Sequence, residues 1–412
     1  MVAFSHESEP IQTESTSQRA LTATPPPNQS LPRALYLLVI LLIIAHTAFN
    51  GIRVTTSLAA LKAGGGALWV GILTAMFNLI PAFLAIRAGR AVDRLPLRKM
   101  LVFGCVLMAL SGGLAAFEPM LWVLAIAACG LGVGWMVIAA ASQYAVGKYG
   151  GDCEGSRIRA FSVMSIGFSI SSFLGPLIAG LMIDQVSFRA SFALLATFPI
   201  LAGVLFYLRG VLKLPSIEHK VRDAPPGKAS DLLQIPIVRN TLMTGAVITI
   251  GWDLYIFLVP VLGSQIGLTA TQIGSVMSLF AIAVFVVRFL MPRLQAWLGG
   301  RGVIVAAMIV SGASFIAFAF AHSYAAMLGC SFVMGLGLGS SQPIVLAFLH
   351  SAAPPHRIGE VNGLRMTMIS TSQWTMPLVF GILSVKTGML PLFLLVGGGL
   401  LSGSWFAKKK LP

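Results

Sequence analysis

Long apolar stretches alternate with short charged segments along most of this chain. A helix needs about 20 residues to cross the hydrocarbon core of a membrane. The stretches of sufficient length, called spans one to twelve, lie at approximately 34–60, 66–86, 99–117, 120–146, 157–183, 188–210, 239–263, 269–292, 301–321, 324–350, 358–385 and 388–407. Residues 302–356 contain no Asp, Glu, Lys or Arg and must hold two spans, with a break at His322. The pattern predicts an all-α integral membrane protein with twelve transmembrane helices.

The chain is predicted to consist of two similar halves. Gly71 in span two matches Gly274 in span eight, and Pro176 in span five matches Pro377 in span eleven, at nearly the same offset. The glycine triplet that begins at Gly130 in span four matches a triplet in span ten at an offset of 205 residues. Shared offsets indicate a duplicated six-helix unit. We therefore predict a disordered tail at 1–33, a six-helix half at 34–212, a cytoplasmic linker at 213–238, a second six-helix half at 239–407 and a basic tail at 408–412.

The basic residues predict an orientation. All but four of the 28 Lys and Arg residues fall on one side of the predicted membrane. The exceptions are Arg53, Lys62, Arg189 and Lys386. Positively charged loops stay in the cytoplasm. Both termini are therefore expected to be cytoplasmic, in a plasma membrane or a bacterial inner membrane.

Composition excludes several classes of function. The chain is 57% hydrophobic and 10% charged, whereas soluble domains are roughly a quarter charged. Its net charge of +15 comes in short clusters between apolar runs, which suits anionic lipid headgroups rather than nucleic acid. Neither the Cys nor the His residues have metal-ligand spacing, and no nucleophile with a base appears. We expect membrane lipids as partners, no metal, no cofactor and no enzymatic activity.

Two short segments resemble a known family. The run Gly89-Arg90-Ala91-Val92-Asp93-Arg94, followed by the basic pair Arg98-Lys99, is similar to the loop between spans two and three of the major facilitator superfamily. The run Gly175-Pro176-Leu177-Ile178-Ala179-Gly180 resembles the glycine-proline motif of its drug:proton antiporter branch. The resemblance implies two six-helix bundles around a central cavity that work by alternating access. It implies a role in conformational gating for Gly89, Asp93, Arg94, Gly175, Pro176 and Gly180.

Ionisable residues inside spans are the strongest candidates for function, because a charge in the bilayer is costly. His46, Asn50 and Arg53 share one face of span one at helical spacing, and Asp253 lies deep in span seven. The resemblance places spans one, four, seven and ten around the cavity. Arg53 is predicted to bind an anionic group of the substrate, and Asp253 to bind a proton or a cationic group. The alternatives are that Arg53 reaches the lipid headgroups, that Asp253 forms a static ion pair with Arg53, or that Asp253 forms a hydrogen bond that pins two helices.

Aromatic and amide side chains on the candidate cavity helices extend the predicted substrate site. They are Trp135, Trp252, Gln342, Gln373 and Trp374. Aromatic walls with few polar anchors suit a small organic ligand. Interhelical hydrogen bonding is the alternative account for each residue.

These observations predict a secondary transporter of a small organic solute that acts as a monomer. Proton-coupled export by antiport is the first choice, because of the glycine-proline run in span five. Proton-coupled import of an organic anion is the second, because of Arg53 and because Ile126 and Ala128 occupy positions where the antiporter branch usually carries an arginine. A receptor on the same fold, which binds ligand without moving it, is the third.

Overall fold

The structure is a computed structural model that describes residues 33–149, 154–208, 229–353 and 357–411, with side chains except at 85–94, 147–149, 154–158, 229–230, 350, 358–359 and 362. The described residues form helices joined by short connections, and contain no strand. The predicted tail at 1–33 falls, except for residue 33, outside the described residues, as does most of the predicted linker.

The helices follow the predicted spans closely. Spans one to six are Arg33–Lys62, Gly66–Arg94, Leu97–Phe117, Leu121–Tyr149, Glu154–Gln185 and Phe188–Leu208. A short helix, Ala229–Gln234, precedes span seven, which is Pro236–Gln265. Spans eight and nine share the helix Ala270–Phe318, and spans ten to twelve are Tyr324–Ala352, Ile358–Thr387 and Leu390–Lys410.

The helix that holds spans eight and nine bends at Gly299. This residue has φ 68° and ψ 168°, a conformation that glycine adopts without steric cost. The bend divides the 49-residue helix into two arms that each cross the membrane. Within the described part of the chain, ten helices are long and apolar enough to span a membrane. The second arm of the bent helix and the more polar span eleven complete the twelve predicted spans, so the fold class is confirmed.

An even number of crossings places residues 33 and 411 on the same side of the bundle. We call this the terminal side, and the opposite side, which carries the connections at 63–65 and 266–268, the loop side. In the first half, span one packs against spans five and six, span three against four and six, and span two against four. The second half repeats this arrangement: span seven packs against eleven and twelve, span nine against ten and twelve, and span eight against ten. The duplication in the sequence is thus matched by a repeated packing arrangement.

The halves meet along two helix pairs, span two with span eleven and span five with span eight. A Cβ atom at Gly71 would clash with the carbonyl oxygen of Pro377, and one at Gly274 would clash with that of Pro176. Each contact joins a glycine to the proline-bearing helix of the opposite half. The two pairs are thus related by the same pseudo-symmetry as the halves.

The packing corrects the register inferred for spans four and ten. Gly132 packs on the carbonyl oxygen of Phe77, and Gly335 packs on that of Phe280. Phe77 and Phe280 are 203 residues apart, and so are Gly132 and Gly335. This is the offset between Gly71 and Gly274, and it replaces the offset of 205 inferred from the sequence. Because the glycines alternate with other residues, the two triplets can be aligned at offsets that differ by two residues. The residue that each glycine contacts in the structure selects one of these alignments.

Candidate substrate site between the two halves

The predicted residues of span one lie in an aromatic cluster of the first half. The His46 ring stacks on Trp135 of span four with centroids 4.4 Å apart, and meets Phe168 of span five edge-on at 4.9 Å. Trp135 also stacks on Phe49 at 5.5 Å. Nδ1 of His46 lies 2.5 Å from the hydroxyl oxygen of Ser171. The structure therefore brings His46 and Trp135 together as an aromatic wall.

Asn50 lies one helical turn beyond His46. Its side-chain nitrogen is 3.3 Å from the His46 ring nitrogens and donates to the Ser172 hydroxyl at 3.5 Å. The Asn50 Cβ atom packs against Gly175 of span five. A Cβ atom added to Gly175 would lie 2.8 Å from the Asn50 Cβ. Gly175 is thus needed for the close approach of spans one and five.

Arg53 lies inside the protein, nine residues before the end of span one at Lys62, a rise of roughly 14 Å. Its Nε atom is buried and has no hydrogen-bond partner. Asp253 and His46 are both within electrostatic range of the guanidinium. Among the described residues, no ion pair within 4.0 Å joins Arg53 to Asp253. The structure thus places the Arg53 Nε in the protein interior.

Asp253 is buried in span seven with 2% of its surface exposed. Its Oδ2 atom accepts a hydrogen bond from the Ser372 hydroxyl of span eleven at 2.7 Å. Ser372 corresponds to Ser171 in the first half at the offset that relates Pro176 to Pro377. Asp253 corresponds to Asn50 at the offset that relates Gly71 to Gly274. The two halves thus present a carboxylate and an amide at equivalent positions, each beside a serine.

The remaining predicted binding residues are more widely distributed. Trp252 meets Phe280 of span eight edge-on at 5.0 Å. The backbone oxygen of Gln373 accepts from Asn78 of span two at 3.4 Å, and Trp374 lies 6.4 Å from Phe83. Trp374 therefore packs beside a residue that is 68% exposed, at the contact of spans two and eleven.

Two arginines were assigned by sequence to the cytoplasmic charge clusters but lie within spans. Arg288 of span eight donates to Ser165 Oγ at 2.7 Å and to Ser169 Oγ at 3.2 Å in span five. Arg365 of span eleven donates to Gln342 Oε1 of span ten at 2.5 Å, which places Gln342 at a cationic group. Both could have been found from the sequence, since Arg288 precedes the end of predicted span eight by four residues and Arg365 follows the start of predicted span eleven by seven. Serines 162, 165, 169 and 172 also recur at helical spacing and mark the polar face of span five.

Of the predicted gating residues of span five, Pro176 and Gly180 lie at the contact between the halves, whereas Gly175 packs against span one of its own half. Pro176 packs on Gly274, and a Cβ atom at Gly180 would clash with the carbonyl oxygen of Ala270. Gly89, Asp93 and Arg94 belong to the helix of span two, but their side chains lie outside the described part of the structure. Their gating role stays a prediction.

The comparisons with known proteins agree with this architecture. The family model of the Major Facilitator Superfamily matches residues 35–249 and again residues 241–411. The chain therefore belongs to the major facilitator superfamily. It is an integral membrane transporter rather than an enzyme. No curated protein sequence matches the chain.

Several solved structures share the fold. A POT family transporter in complex with 5-aminolevulinic acid has a TM-score of 0.77 at 12% identity, over 91% of this chain and 95% of that one. A POT family transporter in complex with a thioalcohol-conjugated peptide has a TM-score of 0.75 at 12% identity, with the same coverage. A bacterial homologue of the human lysosomal transporter Spinster, inward-facing and unoccupied, has a TM-score of 0.68 at 15% identity, over 92% and 95%. These likenesses concern the fold.

Proposed function

We propose that this protein is a proton-coupled secondary transporter that moves a small organic solute by alternating access between its halves. The observation that carries the proposal is the placement of Arg53 and Asp253. They come from opposite halves, lie within electrostatic range of each other, and form no ion pair within 4.0 Å. Because they do not neutralise each other in a close pair, we assign Arg53 to the substrate and Asp253, whose Oδ2 also accepts from Ser372, to the proton.

The contacts between the halves support alternating access. Spans five and eight touch on the loop side through Asp184, whose carboxylate accepts from the Ala270 and Thr271 amides at 3.1 and 2.7 Å. They touch on the terminal side through Arg288. Opening either side requires separation of the helices at that end only, which a rocking motion of one half against the other provides.

The direction of transport rests on different features. Export by proton antiport is favoured by the run from Gly175 to Gly180 in span five, the element that resembles the antiporter branch. Proton-driven import of an organic anion is the second candidate, favoured by the unpartnered Nε of Arg53 and by Ile126 and Ala128 in span four. Residence in a plasma or bacterial inner membrane with cytoplasmic termini, and action as a monomer, belong to the same proposal.

Proteoliposomes with an imposed pH gradient test the proposal. A radiolabelled panel of small organic acids, amides and amines is added to the external buffer. Accumulation in the lumen is measured with either the lumen or the external buffer made acidic. Accumulation driven by an acidic lumen indicates antiport, and accumulation driven by an acidic exterior indicates symport. Binding of a panel member without flux in either gradient would identify a receptor and overturn the proposal.

Variants assign the two charges. Asp253→Asn should abolish gradient-driven accumulation while retaining exchange of labelled for unlabelled solute, because the neutral amide imitates the protonated carboxyl. Arg53→Ala should reduce both activities. Glu118→Gln is the matched control, since Glu118 lies in the connection between spans three and four, where it pairs with Arg189 at 4.0 Å. If the double variant recovered both transport and thermal stability, Arg53 and Asp253 would be a structural pair and the assignment would be wrong.

A further inference from the structure

Positive charge exceeds negative charge inside the described spans. Arg53, Arg288 and Arg365 are partly buried within spans one, eight and eleven. Asp253 is the buried carboxylate of the described residues. Other described acidic side chains lie at helix ends or in connections, such as Asp184, which is exposed. The interior therefore carries three guanidinium groups and one carboxylate.

None of these guanidinium groups is matched to a carboxylate within 4.0 Å among the described residues. Arg288 bonds to serine oxygens and Arg365 to an amide oxygen. Arg53 keeps a buried Nε without any partner. An unpaired charge inside the membrane is costly, and Asp253 can balance at most one of the three. A ligand with a negative charge would remove part of this cost.

We infer that the substrate is a small organic monocarboxylate with an aromatic body, whose carboxylate binds Arg53 and whose ring packs on the wall formed by His46 and Trp135. This inference deepens the proposed transport function and rests on it. A guanidinium binds a carboxylate through two parallel N–H bonds. In the side-on geometry, the two donors are Nε and one terminal nitrogen of the guanidinium. Nε of Arg53 has no hydrogen-bond partner.

The spacing along span one sets the shape of the ligand. His46 precedes Arg53 by seven residues, a rise of roughly 10 Å. Asn50 lies between them and can bond to a polar group of the ligand. The stacked rings of His46, Phe49 and Trp135 form an apolar surface at the far end. A carboxylate joined to a ring through a short chain fits this interval.

Arg288 and Arg365 have a different role in this scheme. Their donors are engaged by Ser165, Ser169 and Gln342, so they bind a carboxylate less readily than Arg53 does. Both lie nearer the terminal side than Arg53, because span eight ends and span eleven begins there. A cleft lined by charge of one sign raises the local concentration of the opposite ion. They thus draw the anion towards Arg53 when the terminal side is open.

A matched set of probes tests the charge of the substrate. Phenylacetate, phenylacetamide and phenethylamine share a ring and a short chain but are anionic, neutral and cationic. Each is titrated into the purified full-length protein in detergent, with sodium chloride as the reference salt. Thermal midpoint and tryptophan fluorescence are followed, since Trp135 and Trp252 lie in the candidate site. Phenylacetate should bind, and the amide and the amine should bind at least about tenfold more weakly, because they lack the charge-assisted fork.

Variants locate the site. Arg53→Gln should weaken phenylacetate binding roughly tenfold to a hundredfold, and Arg53→Lys should fall between it and the native protein, because an ammonium is a point charge without the planar fork. Arg189→Gln is the control, since Arg189 is exposed and lies beside Glu118. If Arg53→Gln does not purify in folded form, the Arg53→Lys comparison decides. In that case, a phenylacetate affinity of Arg53→Lys equal to that of the native protein overturns the inference.

The remaining outcomes separate this inference from the transport proposal. Binding of phenylacetate that depends on Arg53, without flux in proteoliposomes, supports the anionic ligand and defeats transport. Flux of phenethylamine without binding of phenylacetate supports transport and overturns the anionic substrate. A phenylacetate response no larger than that of sodium chloride, or equal in Arg53→Gln, also overturns it.

Discussion

Arg288 of span eight donates a hydrogen bond to the hydroxyl oxygen of Ser165 in span five, with 2.7 Å between the two atoms. The same two helices are joined at their other end, where Asp184 accepts from the Thr271 amide at 2.7 Å. Between these ends the Ser278 hydroxyl donates to the carbonyl oxygen of Phe173 at 2.7 Å. Spans five and eight are therefore in contact along their length, and each access state must break one end of this contact.

Replacement of Arg288 is expected to favour opening of the terminal side. Arg288→Ala removes hydrogen bonds from a charged donor, which are worth about 1.5 to 3 kcal/mol each, so the population open on that side should rise by about tenfold or more. Distances between spin labels on spans five and eight at the terminal side measure this change. Arg98→Ala is the control, because Arg98 bonds to the Tyr207 carbonyl oxygen within one half. Equal distance distributions in Arg288→Ala and the native protein would contradict the role.

Replacement of Asp184 is expected to act in the opposite direction. Its carboxylate accepts from two amides at the first turn of span eight, where the helix dipole favours an anion by about 0.3 to 2 kcal/mol. Asp184→Ala should therefore increase opening on the loop side severalfold. The same label experiment at the loop side measures it, with Glu118→Gln as the acidic control. A shift towards terminal-side opening in Asp184→Ala would refute this assignment.

The close approach of the halves predicts a sharp difference between two glycine substitutions. Gly274→Ala would push a methyl group into the carbonyl oxygen of Pro176, and overpacking costs typically about 1 to 3 kcal/mol. Gly329→Ala in span ten meets nothing within 4 Å and should leave stability and transport unchanged. Thermal midpoints and flux of the two purified variants make the comparison. Equal midpoints would show that spans five and eight are less tightly packed than described.

The charge bias predicts which side of the membrane each connection faces. A cysteine at Ser216 in the linker should react only with reagents that reach the cytoplasm, whereas one at Ser323 should react from outside. Labelling of intact cells with an impermeant maleimide measures this, after the native cysteines are replaced. Reaction at position 216 in intact cells would reverse the proposed orientation.

Asp93 gives a further expectation that rests on the family resemblance. The resemblance implies that the segment carrying Asp93 packs against the start of span eleven, so Asp93→Asn should allow normal expression but reduce transport. Spin-label distances across the terminal side should then shift towards the state open on that side. Unchanged distances would show that Asp93 has another role.

The sequence by itself determined the number of spans, their limits to within a few residues and the duplication of the halves. Length and hydropathy suffice for this, because each membrane helix satisfies its own backbone and must be about 20 residues long. It also singled out Arg53 and Asp253, since a charge inside an apolar stretch is visible in the letters alone. Only the tertiary structure decided what these residues contact. The absence of a short ion pair between them, the hydrogen bond of Asp253 with Ser372, and the inward position of Arg288 depend on how helices far apart in sequence pack. The register of Gly132 with Gly335 depends on the same packing, because a periodic repeat is ambiguous until a neighbouring backbone fixes it.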